Sequence, residues 1–421
     1  MTKRKIILGE YLEFEKGISV PRDRLFITNN IAYLHYGDIY KIYNHVVDIN
    51  KEIDNILKIS TDEKYKKTQL LKDGDIVYNL TSESVDDLGK AVYIRNPNNI
   101  PFVSGMETTI MRVTDKSILL PEYLNYILST YKFKCLLRQY VTGMKVYRVH
   151  PRDIGRIEIE VPDINEQKKI IDILNPFNDK IELNNQMNQT LEEIASLLYK
   201  RWFVDFEFPT ESHCEERGTS DEAISVVGYK SSGGKMVWCV ELEKEIPEGW
   251  EAQELEQIVD IISGNVSPND IDKNTPYIGL EHIPRRTIVL SEWETAEKIN
   301  SDKCIFKKHD ILFGKIRPYF HKVGIAFIDG ITSTDTIVLR PRENSCQGFA
   351  LQTVFSDDFV ETATNSSTGS KMPRANWNIL KNYKIAIPSK KILDTYQLQF
   401  NNIIKKIELS VLENQELASL R

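Results

Sequence analysis

The chain has 421 residues, of which 41 % are apolar and 27 % are charged, and its formal net charge is -7. This length allows two to three domains, and the acidic balance argues against a protein that coats nucleic acid indiscriminately, although local basic surfaces remain compatible with it. No apolar run reaches the roughly 18 residues of a membrane span, and the N-terminus lacks a secretory signal, so we expect a cytoplasmic protein that does not contact a membrane. The five cysteines are scattered and form no C-x-x-C pair, which indicates neither a disulfide framework nor a zinc site.

The sequence contains an internal repeat, visible as matching segments in the same order. Residues 8–21 match residues 255–268 at an offset of 247 positions, and from Gly143 onward the offset is 226. A falling offset means that the order of elements is kept while connecting loops change length, as expected of a duplicated domain. We call residues 1–162 the first copy and residues 250–388 the second copy.

Each copy has the pattern of a mixed domain, so the predicted fold class is α+β with two homologous domains. Residues 74–80, 90–95 and 108–113 in the first copy are β-rich runs between polar turns, and the second copy repeats them. We predict one amphipathic helix in each copy, starting near Pro121 in the first and lying around Phe349 to Val360 in the second. Residues 207–249 are rich in Gly, Ser and acidic residues, and they predict a connector whose most flexible part is 231–234.

Two long helices are predicted, at residues 163–206 after the first copy and 389–421 after the second. Both carry apolar residues at alternating steps of four and three, with polar residues at the same two steps, so we expect them to pack on each other as an antiparallel coiled coil. Pro176 predicts a bend or a restart of the first helix, with Asn175 as a cap. The residues predicted to form the helix-helix seam are Leu174, Phe177, Ile181, Asn188, Leu191, Phe400, Ile403, Ile407, Asn414 and Leu417.

A short basic loop is repeated in the two copies and has the character of a DNA-binding segment. Residues 142–148 align with residues 368–374, and Thr, Gly, Lys and Arg are kept in place. Glycine lets the backbone approach a partner closely, lysine supplies a mobile charge for phosphate, and arginine supplies a planar fork that can grip guanine. A second candidate is the segment 314–319, opposite 79–82, where the copies differ in chemistry. The candidate DNA-binding residues are Thr142, Gly143, Lys145, Arg148, Arg152, Lys315, Arg317, Thr368, Gly369, Lys371 and Arg374.

No catalytic motif is present in the sequence. There is no phosphate-cradling G-x-x-x-x-G-K-[ST], no G-x-G-x-x-G after a strand and no H-E-x-x-H, and no carboxylate pair has the spacing of an acid and a base. We therefore predict a non-catalytic protein that binds neither metal nor cofactor.

The chain resembles the DNA-specificity subunits of type I restriction-modification systems. The resemblance rests on two domains alternating with two helical repeats, on the run 198–206 (LYKRWFVDF) after the first helix, and on 246–251 (IPEGWE) opening the second copy. It implies a subunit that reads a bipartite double-stranded DNA target, one half for each target-recognition domain. It also implies two methyltransferase subunits that use S-adenosylmethionine, and restriction subunits that use ATP and Mg. Contacts with these partners are expected at Leu198, Trp202 and Phe203.

The second helix is shortened relative to this family, because nothing in it corresponds to residues 198–206. This puts docking of the second methyltransferase in question.

Two alternatives belong to other classes. The negative charge suggests a structural or antirestriction protein that mimics DNA, but the repeated Gly-Lys-Arg loops argue against it, because a mimic needs carboxylates at those positions. A lone recognition module fused to or associated with a DNA methyltransferase is opposed by the missing cofactor and catalytic motifs.

Overall fold

The computed structural model describes residues 3–26, 28, 30–43, 45–85, 87–210, 228–369 and 371–420. The chain folds into two compact units that divide between Asp179 and Lys180, inside the first long helix. The start of this helix belongs to the first unit because the buried Gln167 accepts a hydrogen bond from the Leu120 amide at 2.9 Å and donates to the Ile118 carbonyl at 2.9 Å. The domain limits stated above remain predictions.

The first unit consists of short strands, several short helices and the beginning of the long helix. Its strands are β1 (Arg4–Ile7), β2 (Leu12–Lys16), β3 (Ile31–Leu34), β4 (Val46–Asp48), β5 (Lys58–Ile59), β6 (Ile76–Asn79), β7 (Thr81–Ser82), β8 (Ala91–Arg95), β9 (Phe102–Ser104), β10 (Thr108–Val113), β11 (Tyr147–Arg148) and β12 (Glu158–Val161). Its helices are α1 (Tyr36–Lys41), α2 (Ile49–Glu52), α3 (Pro121–Ser129), α4 (Tyr131–Arg138), α5 (Pro151–Ile154) and the first part of α6 (Ile164–Tyr199).

The second unit contains the rest of α6, a π-helical turn at Lys200–Val204, the second copy and the second long helix. Its strands are β13 (Met236–Cys239), β14 (Lys244–Pro247), β15 (Glu251–Glu254), β16 (Val259–Ile262), β17 (Asn265–Val266), β18 (Pro276–Ile278), β19 (Glu294–Thr295), β20 (Lys303–Phe306), β21 (Ile311–Gly314), β22 (Val323–Ile325), β23 (Gly330–Ser333), β24 (Thr336–Pro341) and β25 (Lys384–Ile387). Its helices are α7 (Gln347–Phe355), α8 (Asp357–Asn365), α9 (Trp377–Leu380) and α10 (Lys390–Leu420). Within the described ranges every helix is too short or too polar to span a bilayer.

The two copies have the same topology, which confirms the predicted α+β duplication. The first has a sheet in the order β2-β10-β6-β8-β4, and the second has β16-β24-β21-β22 in the same antiparallel sequence. A second sheet pairs β3 with β9 in parallel, as β18 pairs with β23. The first strand of each copy pairs with its last, β1 with β12 and β15 with β25.

The central sheet of each copy is covered on both faces. In the first copy Met111 packs in the core cluster that contains α3 and α4, while the adjacent Ile110 packs in the cluster with β3 and β9. In the second copy Leu339 and Val338 are divided between two clusters in the same way. Successive strand residues point to opposite faces, so a strand buried on both faces is apolar throughout rather than alternating.

The helical segment of each copy is broken in two, whereas a single helix was predicted. In the first copy α3 ends at Ser129, and the hydroxyl oxygen of the next residue, Thr130, accepts a hydrogen bond from the Phe133 amide at 3.2 Å and caps α4. In the second copy Ser356 caps α8 by accepting from the Phe359 amide at 3.2 Å. A Ser or Thr side chain that satisfies a free amide starts a new helix, and this capping was missed in the continuous apolar pattern.

The first long helix continues through Pro176, so the predicted restart is wrong, and the predicted bend remains a prediction. Asn175 does not act as a cap, because its side chain accepts a hydrogen bond from the Tyr126 hydroxyl at 2.7 Å and donates to Glu122 at 3.0 Å. These contacts fix the helix on α3 at the place where the proline removes a backbone hydrogen bond.

The connector is partly folded, although it was predicted to be flexible. Its residues 211–227 lie outside the described part of the chain. From residue 228 onward it forms the antiparallel hairpin β13-β14, and Phe208 stacks on Tyr229 and Trp250 at 4.7 and 5.3 Å between ring centroids. Ser231, in the segment expected to be most flexible, donates its hydroxyl to Glu207 at 2.6 Å. The ring contacts of Phe208 with Tyr229 and Trp250 hold the described ends of the connector in place.

Within the second unit α6 and α10 pack together and run antiparallel. At one end Asn184 donates to Asn414 and to Glu413, both at 2.8 Å, and at the other end the ring of Trp202 lies 5.7 Å from that of Tyr396. The same register brings the buried Asn188 opposite the buried Ser410. The matched polar steps of the two sequences therefore face each other, which fixes one alignment of the helices.

The remaining seam residues differ in their setting. Ile181, Phe400, Ile403 and Ile407 are buried, and Leu191 and Leu417 are half-buried. Leu174 and Phe177 belong to the first unit, where they are half-buried, and their role in the seam remains a prediction.

One carboxylate connects α6 to the second copy. Glu192 accepts hydrogen bonds from the Thr287 hydroxyl at 2.7 Å and from the Ile288 amide. Burial raises the pKa of this carboxyl above its ordinary value of 4.5. At the equivalent place in α10, 226 positions further on, the residue is Ala418, which has no side-chain oxygen that could accept such hydrogen bonds.

Candidate nucleic-acid interface

The loop at residues 142–148, here called the first glycine loop, is closed by two backbone hydrogen bonds. The Thr142 amide donates to the Arg148 carbonyl at 2.9 Å, and the Arg148 amide donates back at 2.8 Å. Gly143 sits between them with φ of 102°, and a Cβ there would collide with the Val146 carbonyl oxygen. Only glycine fits such a position without moving the backbone.

The loop at residues 368–374, the second glycine loop, is built in the same way. Thr368 and Arg374 exchange two backbone hydrogen bonds of 3.1 and 2.9 Å, and Gly369 has φ of 105°. The aligned Thr, Gly and Arg of the two sequences therefore do the same structural work in both copies. A Cβ on Gly369 would lie 3.2 Å from the Met372 carbonyl oxygen, so this loop is slightly more open.

Each glycine loop pairs with the turn that joins two neighbouring strands of the central sheet, β6 and β8 in the first copy and β21 and β22 in the second. We call residues 80–90 the first hairpin loop and residues 315–322 the second hairpin loop. In the first copy β11 pairs with β7, which places Arg148 beside Thr81. In the second copy the Arg317 amide donates to the Pro373 carbonyl at 2.8 Å, and the Ala375 amide donates to the Lys315 carbonyl at 3.0 Å. The structure thus brings together the two candidate segments that the sequence suggested separately.

The arginine of each glycine loop lies beside a carboxylate at the start of a central strand. Arg148 Nη2 is 3.8 Å from Glu107 Oε1, and Arg374 Nε is 3.2 Å from Asp335 Oδ1. Glu107 and Asp335 occupy matching positions in the repeat. Both arginines are largely exposed, so each ion pair contributes less than about 1 kcal/mol to stability. The carboxylate orients the guanidinium and leaves it accessible to another partner.

The other predicted cations are distributed around these loops. Lys145 and Lys371 are exposed in the glycine loops, and Arg152 lies on α5 rather than in a loop. In the described ranges none of these three pairs with a carboxylate within 4.0 Å. Beside the first glycine loop is a cleft of about 810 Å³ whose wall includes Glu15, Arg148 and Arg152.

The second hairpin loop carries a cluster that was not found in the sequence. The guanidinium carbon of Arg285 lies 3.7 Å from the centroid of the Phe320 ring, and that of Arg317 lies 5.8 Å from it. Arg285 follows β18, so it reaches the loop from a distant part of the sequence. The repeat gave no signal for it, because the matching segment of the first copy forms helix α1, whose Tyr40 donates instead to the Thr81 carbonyl at 2.9 Å.

The residues predicted to contact partner subunits lie mainly inside the protein, which corrects that prediction. Trp202 is 3 % exposed and Phe203 is 5 % exposed, and the Phe203 ring contacts Tyr396 and Phe349, each at 4.7 Å between centroids. Leu198 is half-buried against the same core. An aromatic run after a helix indicated a protein interface, but here it fills the junction between α6, α10 and the second copy.

No group of three or more His, Cys, Asp or Glu side chains that could hold a metal ion is found within the part of the chain that the structure describes. The chemistry of both loop clusters is that of hydrogen-bond donors and cations around a rigid backbone. Donors and cations of this kind are the groups that proteins use to contact phosphates and base edges.

Two copies of one recognition fold on a pair of antiparallel helices define a class of DNA-specificity proteins. A family profile described as the type I restriction modification DNA specificity domain matches residues 16–193 and again 247–420. The chain therefore belongs to the type I restriction-modification specificity family, as the resemblance had predicted. It is a specificity subunit that determines DNA target recognition.

Known proteins similar to this chain agree with this assignment. The HindI type I restriction enzyme specificity subunit of Haemophilus influenzae is 24 % identical over an alignment of 468 positions. The alignment covers 98 % of this chain and 97 % of that protein. The EcoDI specificity subunit of Escherichia coli is 25 % identical over 270 residues, covering 63 % and 57 %. The crystal structure of a type I S subunit from M. genitalium has the same fold, with a TM-score of 0.51, 14 % identity, and coverage of 100 % of this chain and 94 % of that one.

Proposed function

We propose that each copy reads one half of a bipartite double-stranded DNA target, and that the paired helices set the distance between the halves. The observation that carries this proposal is that one backbone arrangement, a glycine loop pairing with a hairpin loop, is built twice with different side chains. A reader needs a fixed backbone to position its donors and variable side chains to choose a base. The duplication supplies both.

The side chains have distinct roles in this proposal. Lys145 and Lys371 contact phosphates, and Arg148 and Arg374, oriented by their carboxylates, reach base edges. Thr142, Gly143, Thr368 and Gly369 shape the two loops. Arg152, Lys315 and Arg317 extend the basic surface beside them. These assignments follow from exposure and from the two closed loops, and they are tested below.

The docking sites for two methyltransferase subunits lie on the outer faces of α6 and α10. Leu183 and Leu409 are each 59 % exposed, although both are large and apolar, and they occupy equivalent positions of the repeat. Ile194 and Leu420 form a second equivalent and exposed pair. Apolar residues exposed twice by the same internal symmetry suit two copies of one partner. These pairs replace Trp202 and Phe203 as the proposed contacts.

The reaction chemistry belongs to the partners in this proposal. The methyltransferase subunits bind S-adenosylmethionine, and the restriction subunits bind ATP and Mg. The complex acts on DNA in the cytoplasm.

Co-expression with the methyltransferase subunit of the same restriction-modification system, followed by sequencing of modified bases, tests this function. The proposal requires a bipartite methylation mark that depends on both proteins. A mark made by this chain alone would favour a methyltransferase, and inhibition of methylation without any new mark would favour a DNA mimic. Either result would overturn the proposal.

A further inference from the structure

The second hairpin loop has a charge opposite to that of its counterpart. It joins β21 to β22 and contains the cations Lys315, Arg317 and Lys322 without any carboxylate, whereas the first hairpin loop contains Glu83, two aspartates and a single lysine. Both loops begin and end with the same backbone bonds, since the Gly314 amide donates to the Lys322 carbonyl at 2.8 Å and the Asn79 amide to the Lys90 carbonyl at 2.9 Å. The charge therefore differs while the scaffold is the same.

The second hairpin loop is held in a conformation that few residues adopt. Arg317 and His321 have φ of 50° and 53°, and Arg286 in the neighbouring segment has φ of 56°. The Arg286 amide donates to the His321 carbonyl at 3.0 Å, and the buried His321 ring contacts the Phe355 carbonyl at 2.7 Å. Left-handed backbone at residues other than glycine costs free energy and persists where surrounding contacts enforce it. These contacts fix the backbone that carries the half-buried side chains of Arg317 and Phe320.

Arg285 is stacked on Phe320 in this loop. A distance of 3.7 Å from the guanidinium carbon to the ring centroid corresponds to direct face contact. The next residue, Arg286, pairs with Asp357 at 3.0 Å, but in the described ranges neither Arg285 nor Arg317 has a carboxylate within 4.0 Å. Stacking fixes the plane of the Arg285 guanidinium and leaves its edge of N–H donors without an acceptor among the described residues.

We propose that Arg285 is a specificity-determining residue of the second copy, and that it reads a guanine in the major groove of the second half-site. A planar guanidinium donates two parallel hydrogen bonds to the O6 and N7 atoms of guanine, and prior fixation of its plane lowers the entropy lost on binding. Phe320 is a positioning residue, which acts only through Arg285. The first copy has no equivalent arginine, so the reader belongs to one half-site.

This inference rests on the proposed function and refines it. The main rival within the same complex is a contact between Arg285 and a phosphate, which would contribute affinity without choosing a base. Lysine distinguishes the two roles, because it keeps the charge needed for phosphate but lacks the planar fork.

The test is modified-base sequencing of complexes that contain wild type, Arg285→Ala, Arg285→Lys, Phe320→Leu or Arg342→Ala. Arg342 is a matched control because it is another exposed arginine of the second copy. It lies directly after the C-terminal end of β24, and its Nε is 2.9 Å from Asp260 Oδ1. We expect a guanine-cytosine pair at one fixed position of one half-site to become degenerate in Arg285→Ala and Arg285→Lys, with about a tenfold or greater loss of preference. Phe320→Leu should weaken the same position in part, and Arg342→Ala should change nothing.

Three outcomes would overturn the inference. A motif unchanged in both Arg285 variants would exclude base reading, and so would a uniform loss of methylation in Arg285→Ala that Arg285→Lys restores. The third is a wild-type target without an invariant guanine-cytosine pair in the affected half-site. Absence of any bipartite mark with wild type would instead contradict the proposed function. Recognition of the other half-site serves as an internal control for folding.

Discussion

The two hairpin loops occupy the same place in the two copies, but the first is acidic and the second is basic and aromatic. In both, the adjoining glycine loop is closed by the same pair of hydrogen bonds, and its arginine is held by a carboxylate from the same strand position. Duplication has therefore kept the backbone that presents side chains and changed the side chains presented. This division explains how one fold can read two different half-sites.

The two long helices also carry equivalent exposed residues, and substitutions of these residues should have the largest effect. Leu183→Glu and Leu409→Glu should each remove one methyltransferase subunit, with about a hundredfold or greater loss of affinity, because a carboxylate would be buried in an apolar contact. Native mass spectrometry should give one bound methyltransferase for each single variant and none for the double variant.

Leu398→Glu is the matched control for the docking test. Leu398 is also exposed, but its counterpart in the repeat is the charged Asp172, so this position lacks the apolar symmetry. Retention of two methyltransferase subunits by either Leu183→Glu or Leu409→Glu would refute the docking surface.

The glycine loops should respond unequally to one substitution. Gly143→Ala and Gly369→Ala both place alanine at positive φ, which costs about 1–2 kcal/mol. At Gly143 the new methyl group also collides with backbone, whereas at Gly369 the nearest atom is 3.2 Å away. We expect the greater loss of affinity for target DNA in the complex with Gly143→Ala.

Gly249→Ala is the control for strain alone, because Gly249 has φ of 85° and nothing within 4 Å of its Cβ position. It should leave DNA affinity unchanged. Equal losses for Gly143→Ala and Gly249→Ala would show that the loop shape has no role in binding.

The paired arginines should have equal roles at different half-sites. Arg148→Ala should relax the half-site read by the first copy by about 1–3 kcal/mol of base discrimination, and Arg374→Ala should relax the other half-site similarly. Modified-base sequencing gives both results at once. Arg24→Ala, which removes a surface pair with Glu63, is the control. Relaxation of the same half-site by both loop variants would contradict one reader per copy.

The smallest expected effect concerns Glu192, whose contact with Thr287 and Ile288 has no equivalent in α10. Burial raises its pKa in the folded protein, so protonation favours the native contact: the stabilisation is fully present below the unfolded value of 4.5 and decreases as pH rises through the folded pKa. Glu192→Gln keeps the acceptor for Thr287 and cannot ionise. Its thermal unfolding should vary less with pH than that of wild type on the acidic side of neutrality, by about 1 kcal/mol or less. Identical pH profiles would exclude ionisation of this group as a factor.

Much of the fold could be predicted because the sequence is duplicated, so that each copy can be compared with the other. The strand runs, the matched polar steps of the helices and the Thr-Gly-Lys-Arg loops are all local patterns that occur twice. The prediction of one continuous helix in each copy was wrong at Thr130 and Ser356. Each of these aligned residues ends one helix and caps the next. Their capping role was visible only as a residue type within a continuous apolar pattern.

The parts that could not be predicted depend on contacts between distant segments. Trp202 and Phe203 have the composition of an interface, and only the position of Tyr396 shows that they fill a core. Arg285 follows β18 and Phe320 follows β21, and the fold of the second copy brings the two side chains into contact. No spacing in the sequence predicts this contact. Functional differences between the copies are therefore found where the repeat stops aligning.

The most direct test of the whole account is the modified-base sequence of a complex whose subunit carries four additional residues after Gln189. One extra turn lengthens α6 by about 6 Å, which at about 3.4 Å per base pair corresponds to one or two pairs. If two independent readers are held apart by the helices, both half-sites will remain unchanged and the spacer between them will lengthen by that amount. An unchanged spacer, or an altered half-site, would contradict the account.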